Sequence, residues 1–183
     1  QGNAAIGQTL YLRRGLTAAA SELQPLMVNH RWGDMAFCYN GALTNAAELR
    51  HELEEAGSIF HTHVDIEVVV HLMARHHRQP AADALARGLN QLKGAYSGLW
   101  LTPEQLLAAR DPHGFRPLSL GQLEWREEEE EEEGGGPASS GTAWVLASET
   151  CALDTVGAEF VRDVEPGELL TIDAGGLRST RLA

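Results

Sequence analysis

Cysteine is scarce, basic charge is outnumbered and long apolar runs are missing. Only Cys38 and Cys151 occur among the 183 residues. Two cysteines cannot build a disulfide framework, and no C-x-x-C spacing marks a zinc site. Nothing approaches the run of about 18 apolar residues that crosses a membrane, and Gln1 to Gly7 lacks the basic-then-apolar order of a signal peptide. A reducing, cytoplasmic setting is the default expectation. Lysine and arginine number 14 against 26 acidic residues, for a net charge of -12. That balance excludes the basic footprint of a nucleic-acid binder. There is no G-K-[ST] phosphate loop, no H-E-x-x-H pair and no G-x-S-x-G elbow, so three common catalytic chemistries drop out. The first residue is Gln1 rather than methionine, and the chain is accordingly expected to be a fragment or a degenerate copy.

What is present is ordinary globular material, with 43% hydrophobic and 22% charged residues. Seven of the negative charges form one run, Glu127 to Glu133, followed by Gly134-Gly135-Gly136-Pro137. Like charges repel and the glycines add no packing, so residues 124–142 are expected to be a solvated acidic, Gly/Ser-rich loop inserted between two strands.

Short apolar runs at Pro25–Val28 and Asp34–Tyr39 predict strands, the second ending at the turn dipeptide Asn40-Gly41. A helix is expected over Ala46–Ala56, capped by Asn45 with Glu48 in capping-box position and stopped by Gly57. Asp65 reads as the cap of a second helix with Val68, Val69, Leu72 and Met73 on one face. Pro80 opens a third helix with Leu85, Leu89 and Leu92 facing a core. Beyond Gly94, strands are expected at 95–101, 105–109, 117–120, 143–147, 159–161 and 169–172. Elements come in blocks rather than strict alternation, which favours an α+β fold.

Few groups carry chemistry. Asn40-Gly41 offers either a plain turn or an oxyanion site made of a side-chain amide and a backbone N–H. Asp65 serves as a helix cap or as a grip on a substrate ammonium, and the two are compatible because a carboxylate has several acceptor sites. His61, His63 and Asp65 alternate and invite a metal reading. Against it, Asp65 begins a helix and no ligand sits at zincin spacing, so solvated histidines are expected and no metal site is assigned. The loop Arg110–Pro117 is expected to be a structural turn in which Asp111 accepts backbone N–H groups. Both cysteines are expected to be buried, inert thiols. On residues alone there is an oxyanion-capable turn and a carboxylate, but no nucleophile.

The run Tyr39-Asn40-Gly41-Ala42-Leu43-Thr44-Asn45-Ala46-Ala47-Glu48-Leu49-Arg50 resembles the "HNG-x-L-x-N-x-x-x-L-R" stretch of class II glutamine amidotransferases. Phe60 to Val68 is similar to their "F-x-T-x-S-D-T-E" motif. Gly94–Ser97, Arg110–Gly121 and Ala147–Glu168 narrow the resemblance to the amidophosphoribosyltransferase family, over nearly the whole chain outside the glutamate run.

The resemblance implies a four-layer αββα sandwich of the N-terminal-nucleophile hydrolase type, here lacking its N-terminal strands and so expected to expose sheet edges. It implies a glutaminase domain over residues 1–183, incomplete at the N-terminus, that releases ammonia from glutamine for phosphoribosylamine formation in purine synthesis. Asn40 and Gly41 match the oxyanion-hole pair, and Asp65 matches the carboxylate that holds the substrate ammonium. The family's nucleophile is an N-terminal cysteine whose own α-amine is the base, and no residue matches it. The segment from Gln8 to Gly15 aligns with "HTRYSTTG", where Leu10 stands in place of the arginine that clamps the substrate carboxylate. Such a clamp contributes about 1.5–3 kcal/mol, with Arg13 or Arg14, from the next turn, the alternative that could reach the same carboxylate. Tyr39 replaces the family histidine.

The family's phosphoribosyltransferase domain is expected to be absent from this chain, so phosphoribosyl pyrophosphate is expected as a partner only through that domain. Magnesium and, in some members, an iron–sulfur cluster belong to the full-length family, and none is expected on this chain. Homo-oligomers are expected of the intact enzyme. By itself the chain is expected to be inactive, the rival being a non-catalytic glutamine-binding or interaction domain that kept the fold.

Overall fold

The computed structural model describes residues 3–9, 23–126 and 140–183, with Arg126 described in its backbone only. The glutamate run, together with Leu10, Arg13 and Arg14, lies outside these residues. The chain forms two units, one of residues 1–116 and 165–183 and the other of residues 117–164.

The larger unit is built on a six-stranded antiparallel sheet. Its strands are β1 (Leu26–His30), β2 (Gly33–Leu43), β3 (Gly94–Leu101), β4 (Gln105–Arg110), β8 (Glu168–Asp173) and β9 (Gly176–Arg181), side by side in that order. Between β2 and β3 the chain runs through α1 (Ala46–Glu55), α2 (Glu67–Arg75) and α3 (Ala81–Leu89). One face of the sheet is apolar by its period of two. Met35, Phe37 and Tyr39 of β2 lie beside Tyr96 and Trp100 of β3, all buried. Leu53, Ile66, Val69, Leu72, Met73 and Leu85 from the helices complete that core. Asn40, Ser97 and Arg110 pair across β2, β3 and β4, so their side chains share the opposite face.

The local chemistry departs from expectation at several points. The turn expected at Asn40-Gly41 does not form, and β2 runs on to Leu43. Gly41 is needed for close approach instead: a Cβ there would lie 2.2 Å from the Ala95 carbonyl oxygen and 2.8 Å from the Tyr96 Cα. Asn45 occupies the cap position of α1 but makes no side-chain cap bond. Its amide instead bridges to the Gln91 carbonyl and the Lys93 N–H, tying α1 to the entry of β3. Gly57 does stop α1, in the left-handed region at φ 92°. Asp65 is not the cap of α2. That position belongs to Ile66, because the Asp65 carboxylate is drawn to β2. Pro80 sits at the cap position of α3, and Leu85, Leu89 and Leu92 are buried as their spacing predicts.

The second unit holds a three-stranded antiparallel sheet ordered β6 (Ser140–Ala147), β5 (Ser119–Arg126), β7 (Glu159–Asp163), with α4 (Thr150–Val156) between β6 and β7. Leu153 is the buried residue of α4 and packs over Gly121, where a Cβ would lie 2.9 Å from its Cδ2. The β5–β6 ladder reaches from Ser119↔Ala147 to Arg126↔Ser140. Residues 124–126 and 140–142, expected in the acidic loop, are therefore strand.

Candidate functional site

The site grows from the edge of β2. Strand β1 pairs with residues 33–37, and among the described residues no strand pairs with β2 from Cys38 onward on that side. Tyr96 uses its backbone towards β4: its carbonyl accepts the Asp111 N–H at 2.8 Å and its N–H donates to Asp111 Oδ2 at 3.3 Å. Tyr96 pairs with Gly41, so this is a pair without mutual hydrogen bonds, and the Gly41 N–H points away from β3 towards the open edge.

Polar side chains line the same edge at alternate residues. The Tyr39 N–H donates to Gln24 Oε1 at 2.8 Å, and the Tyr39 carbonyl accepts from Gln8 Nε2 at 2.9 Å. Two residues beyond Gly41, the Leu43 N–H donates to Asp65 Oδ2 at 3.0 Å. The edge that the missing strands were expected to leave bare is thus occupied by Gln8, Gln24 and Asp65, which blunts it as a template for strand addition.

Asp65 is held at both oxygens. The Tyr39 hydroxyl donates to Oδ1 while Leu43 occupies Oδ2. Burial pushes its carboxyl above the ordinary range, opposed by the backbone N–H groups of Leu43, Ile66 and Asp65 itself. Tyr39, noted in the sequence only as a substitution for histidine, is therefore the partner of the carboxylate.

The loop that carries Asp65 is anchored by Glu67. Its carboxylate accepts from the His61 N–H at 2.8 Å, the Thr62 N–H at 2.9 Å and the Thr62 hydroxyl at 2.6 Å. Burial works against the charge of Glu67, but these hydrogen bonds outweigh it and hold the carboxyl below its ordinary value. Arg50 donates to the Thr62 carbonyl at 2.8 Å and lies 3.9 Å from Glu67, its guanidinium 4.0 Å from the centre of the Phe60 ring. His71 packs on Phe60 with ring centres 4.1 Å apart, and burial lowers its pKa. Glu67 and Arg50 were legible as motif letters, but not as the anchor of the Asp65 loop.

Asn40 is exposed on the sheet face opposite the helices, beside Gly41. His61 and His63 are exposed, and among the described residues no group of three or more His, Cys, Asp or Glu is arranged to hold a metal ion. Cys38 is buried, as expected, and desolvation pushes its thiol up to about 11. Cys151 is exposed, which corrects the expectation that both thiols are buried. It lies in the first turn of α4, whose one buried residue is Leu153, and a hydrogen bond to Glu149 raises its pKa. Neither thiol has the electropositive setting of an activated nucleophile. One buried and one surface cysteine on separate units do not fit an iron–sulfur cluster of four thiolates. The loop Arg110–Pro117 is structural as expected. Asp111, fully buried, takes the N–H groups of His113, Phe115, Arg116 and Tyr96, while Arg110 donates to the carbonyls of Arg116 and Gly114.

The sequence pattern that defines the glutamine amidotransferase domain matches residues 12–128. The chain belongs to that family. This glutamine amidotransferase domain is 39% identical over its whole length to the amidophosphoribosyltransferase of Bacillus subtilis, of which it covers 35%. It is 40% identical over 97% of its length to a chloroplastic amidophosphoribosyltransferase of Arabidopsis thaliana, of which it covers 28%. Its structure is similar to that of the glutamine phosphoribosylpyrophosphate amidotransferase of B. subtilis solved with ADP and GMP. The TM-score is 0.76 at 40% identity, over 90% of this chain and 33% of that one. The domain thus spans about a third of the length of these relatives. The likeness assigns the two antiparallel sheets and four helices among the described residues to the N-terminal-nucleophile hydrolase fold, as the sequence motifs implied. Among the described residues, no helix is long and apolar enough to cross a membrane.

Proposed function

We propose that the chain is the glutamine-binding, glutaminase part of an amidophosphoribosyltransferase, which holds glutamine along the open edge of β2. In this reading the substrate ammonium sits on Asp65. The carboxamide oxygen meets the Gly41 N–H and the Asn40 amide, where negative charge would develop during acyl transfer. The observation that carries it is the spacing along one strand edge. Gly41 and Leu43, whose N–H holds Asp65, are two residues apart, or about 6.8 Å of strand, which matches the reach of an extended glutamine between carboxamide and ammonium.

The 183 residues as they stand bind glutamine without hydrolysing it, because Cys38 is a desolvated thiol and the hydrogen bond to Glu149 raises the pKa of Cys151. In the longer protein the ammonia serves phosphoribosylamine formation at the opening of purine synthesis. Phosphoribosyl pyrophosphate and magnesium belong to its transferase part, the assembly is a homo-oligomer and the setting is cytoplasmic. Nucleic acid and membrane are not partners.

Titration calorimetry with L-glutamine tests this reading. Heat of binding is expected for the wild-type chain and none for Asp65→Ala. A flat wild-type titration in a folded sample overturns it.

A further inference from the structure

Tyr39 stands where the apolar face of the large sheet meets the site. By the period of two its side chain lies on the core face of β2 with Met35 and Phe37, and it is 7% exposed. Its backbone is fixed from both sides of the strand. It pairs with Gly98 of β3 on one side, and on the other its N–H donates to Gln24 and its carbonyl accepts from Gln8. A buried phenol needs a partner for its hydroxyl, and here that partner is Asp65 Oδ1. A packed ring has little freedom, so the hydroxyl is delivered to a fixed point.

The surroundings of Asp65 say what this donor does. To hold an ammonium the carboxyl must be ionised, and its partial burial favours the neutral acid. The backbone N–H groups of Leu43 from β2, and of Ile66 and Asp65 from its own loop, act against burial. No counter-charge assists them: among the described residues no Lys, Arg or His pairs with Asp65. Glu67 of α2 is taken up by the N–H groups of His61 and Thr62, with Arg50 of α1 and His71 of α2 beside it. His61 and His63 of the same loop are exposed. The Tyr39 hydroxyl is thus the side-chain donor that supports the charge of Asp65. A phenol keeps its proton to about pH 10, so it donates unchanged over the range in which a carboxyl titrates.

We propose that Tyr39 is a positioning residue of the glutamine site, its hydroxyl holding the Asp65 carboxylate ionised and oriented to receive the substrate ammonium. The inference rests on the glutamine-binding reading and deepens it by naming the group that maintains the charge on which binding depends.

The test is the pH dependence of L-glutamine binding, followed by titration calorimetry on the full 183-residue chain, wild type against Tyr39→Phe, from about pH 4 to about pH 8. Glutamine keeps its ammonium over this range, so the acid limb reports the carboxyl that receives it. Removing a hydrogen bond to the ionised form raises a carboxyl pKa. The acid limb of Tyr39→Phe is therefore expected at least about one pH unit above that of wild type, the effect of one hydrogen bond to a charged group. Below both limbs the variant should bind about tenfold more weakly, and at about pH 8 the two affinities should converge. A merely structural hydroxyl would weaken binding by the same factor at every pH. That parallel loss, or coincident profiles, overturns the role of Tyr39 and leaves the glutamine reading standing. A wild type that binds no glutamine overturns both. Should Tyr39→Phe fail to fold, wild-type chain isotope-labelled at the Tyr39 Cζ decides by NMR. A resonance that moves with the acid limb of glutamine binding supports the proposal, and one that stays constant across that limb refutes it.

Discussion

Gly41→Ala separates two accounts of the Asn40-Gly41 dipeptide, and the structure sets the size of the effect. A Cβ at Gly41 would lie 2.2 Å from the Ala95 carbonyl oxygen and 3.0 Å from the Tyr96 Cβ, where ordinary contacts begin near 3.4 Å. Relief requires β2 and β3 to part by about 1 Å, because the obstacle is backbone and has no rotamer to change. Asn40↔Ser97 and Ala42↔Ala95 are the hydrogen-bonded pairs on either side, and parting strains their bonds. Overpacking costs about 1–3 kcal/mol and each weakened ladder bond about 0.5–1.5 kcal/mol. A loss of about 3–5 kcal/mol is therefore expected. For a chain of this size each kcal/mol moves Tm by about 2–4 °C, so scanning calorimetry at neutral pH should find Gly41→Ala melting about 10–15 °C below wild type. Asn40→Ala, altering an exposed side chain, should stay within about 0.5 kcal/mol. Were the dipeptide a plain turn, alanine would add only the modest strain of a left-handed residue. A Gly41→Ala chain melting within 2–3 °C of wild type would show that the ladder does not continue through Gly41 (a ~1 kcal/mol effect).

Other consequences follow from the charged groups. Asp65 has a raised folded-state pKa, so the native state holds more protons than the unfolded chain above the ordinary carboxylate value, and stability falls as pH rises through that window. Asp65→Asn, which keeps an acceptor for Leu43 or Tyr39, should melt higher than wild type at neutral pH, lose the advantage below about pH 3.8, and show no heat with glutamine. Glu67 is shifted the other way, and its contribution is present at neutral pH and lost as pH falls through its lowered pKa. Glu67→Gln should therefore flatten the acid limb of the Tm–pH curve. Asp111→Ala strands four N–H groups around one buried position, for an expected loss of about 3–5 kcal/mol in chemical denaturation. With a thiol reagent on native protein, Cys151 should be modified and Cys38 protected until unfolding, and equal rates would contradict the burial of Cys38.

Helices α2 and α3 were legible from their apolar stripes, and Val68, Val69, Leu72 and Met73 all proved buried, whereas α1 was read from Asn45, Glu48 and Gly57 and buries only Leu49 and Leu53. Two elements left no such mark. Helix α4 buries Leu153 alone, so it has no periodicity to detect. Strand β9, Gly-Leu-Arg-Ser-Thr-Arg, is an edge strand that exists through its pairing with β8 rather than through an apolar face. At the site, Asn40, Gly41 and Asp65 were named from motif letters, and the structure brings Asp65 to the strand edge that carries Gly41. Tyr39, Gln8 and Gln24 were not foreseen, because their roles come from which edge of β2 is open. That is a matter of where β1 stops, and no local pattern encodes it. Asn45 and Asp65 were read as caps for the same reason: each has the right residue type, but its side chain is claimed by groups distant in sequence, Asn45 by Gln91 and Lys93 ahead of β3 and Asp65 by Leu43 of β2.

The excursion between β4 and β8 bears on how the chain finds its fold. Strand β8 is the next neighbour of β4, yet some sixty residues separate Arg110 from Glu168, so this ladder joins distant parts of the chain. Closing a flexible loop of that length is costly, and pairings of this kind are slow to form. The intervening residues hold their own sheet, however, and Ser119 already pairs with Asp163 within it. Once that unit has formed, the loop left to close is only about ten residues. The logarithmic dependence on loop length then removes about 1.6 kcal/mol from the closure cost. Residues 117–164 would thus act as a folding clamp that delivers β8 to β4, and ordering of the small sheet should precede completion of the large one.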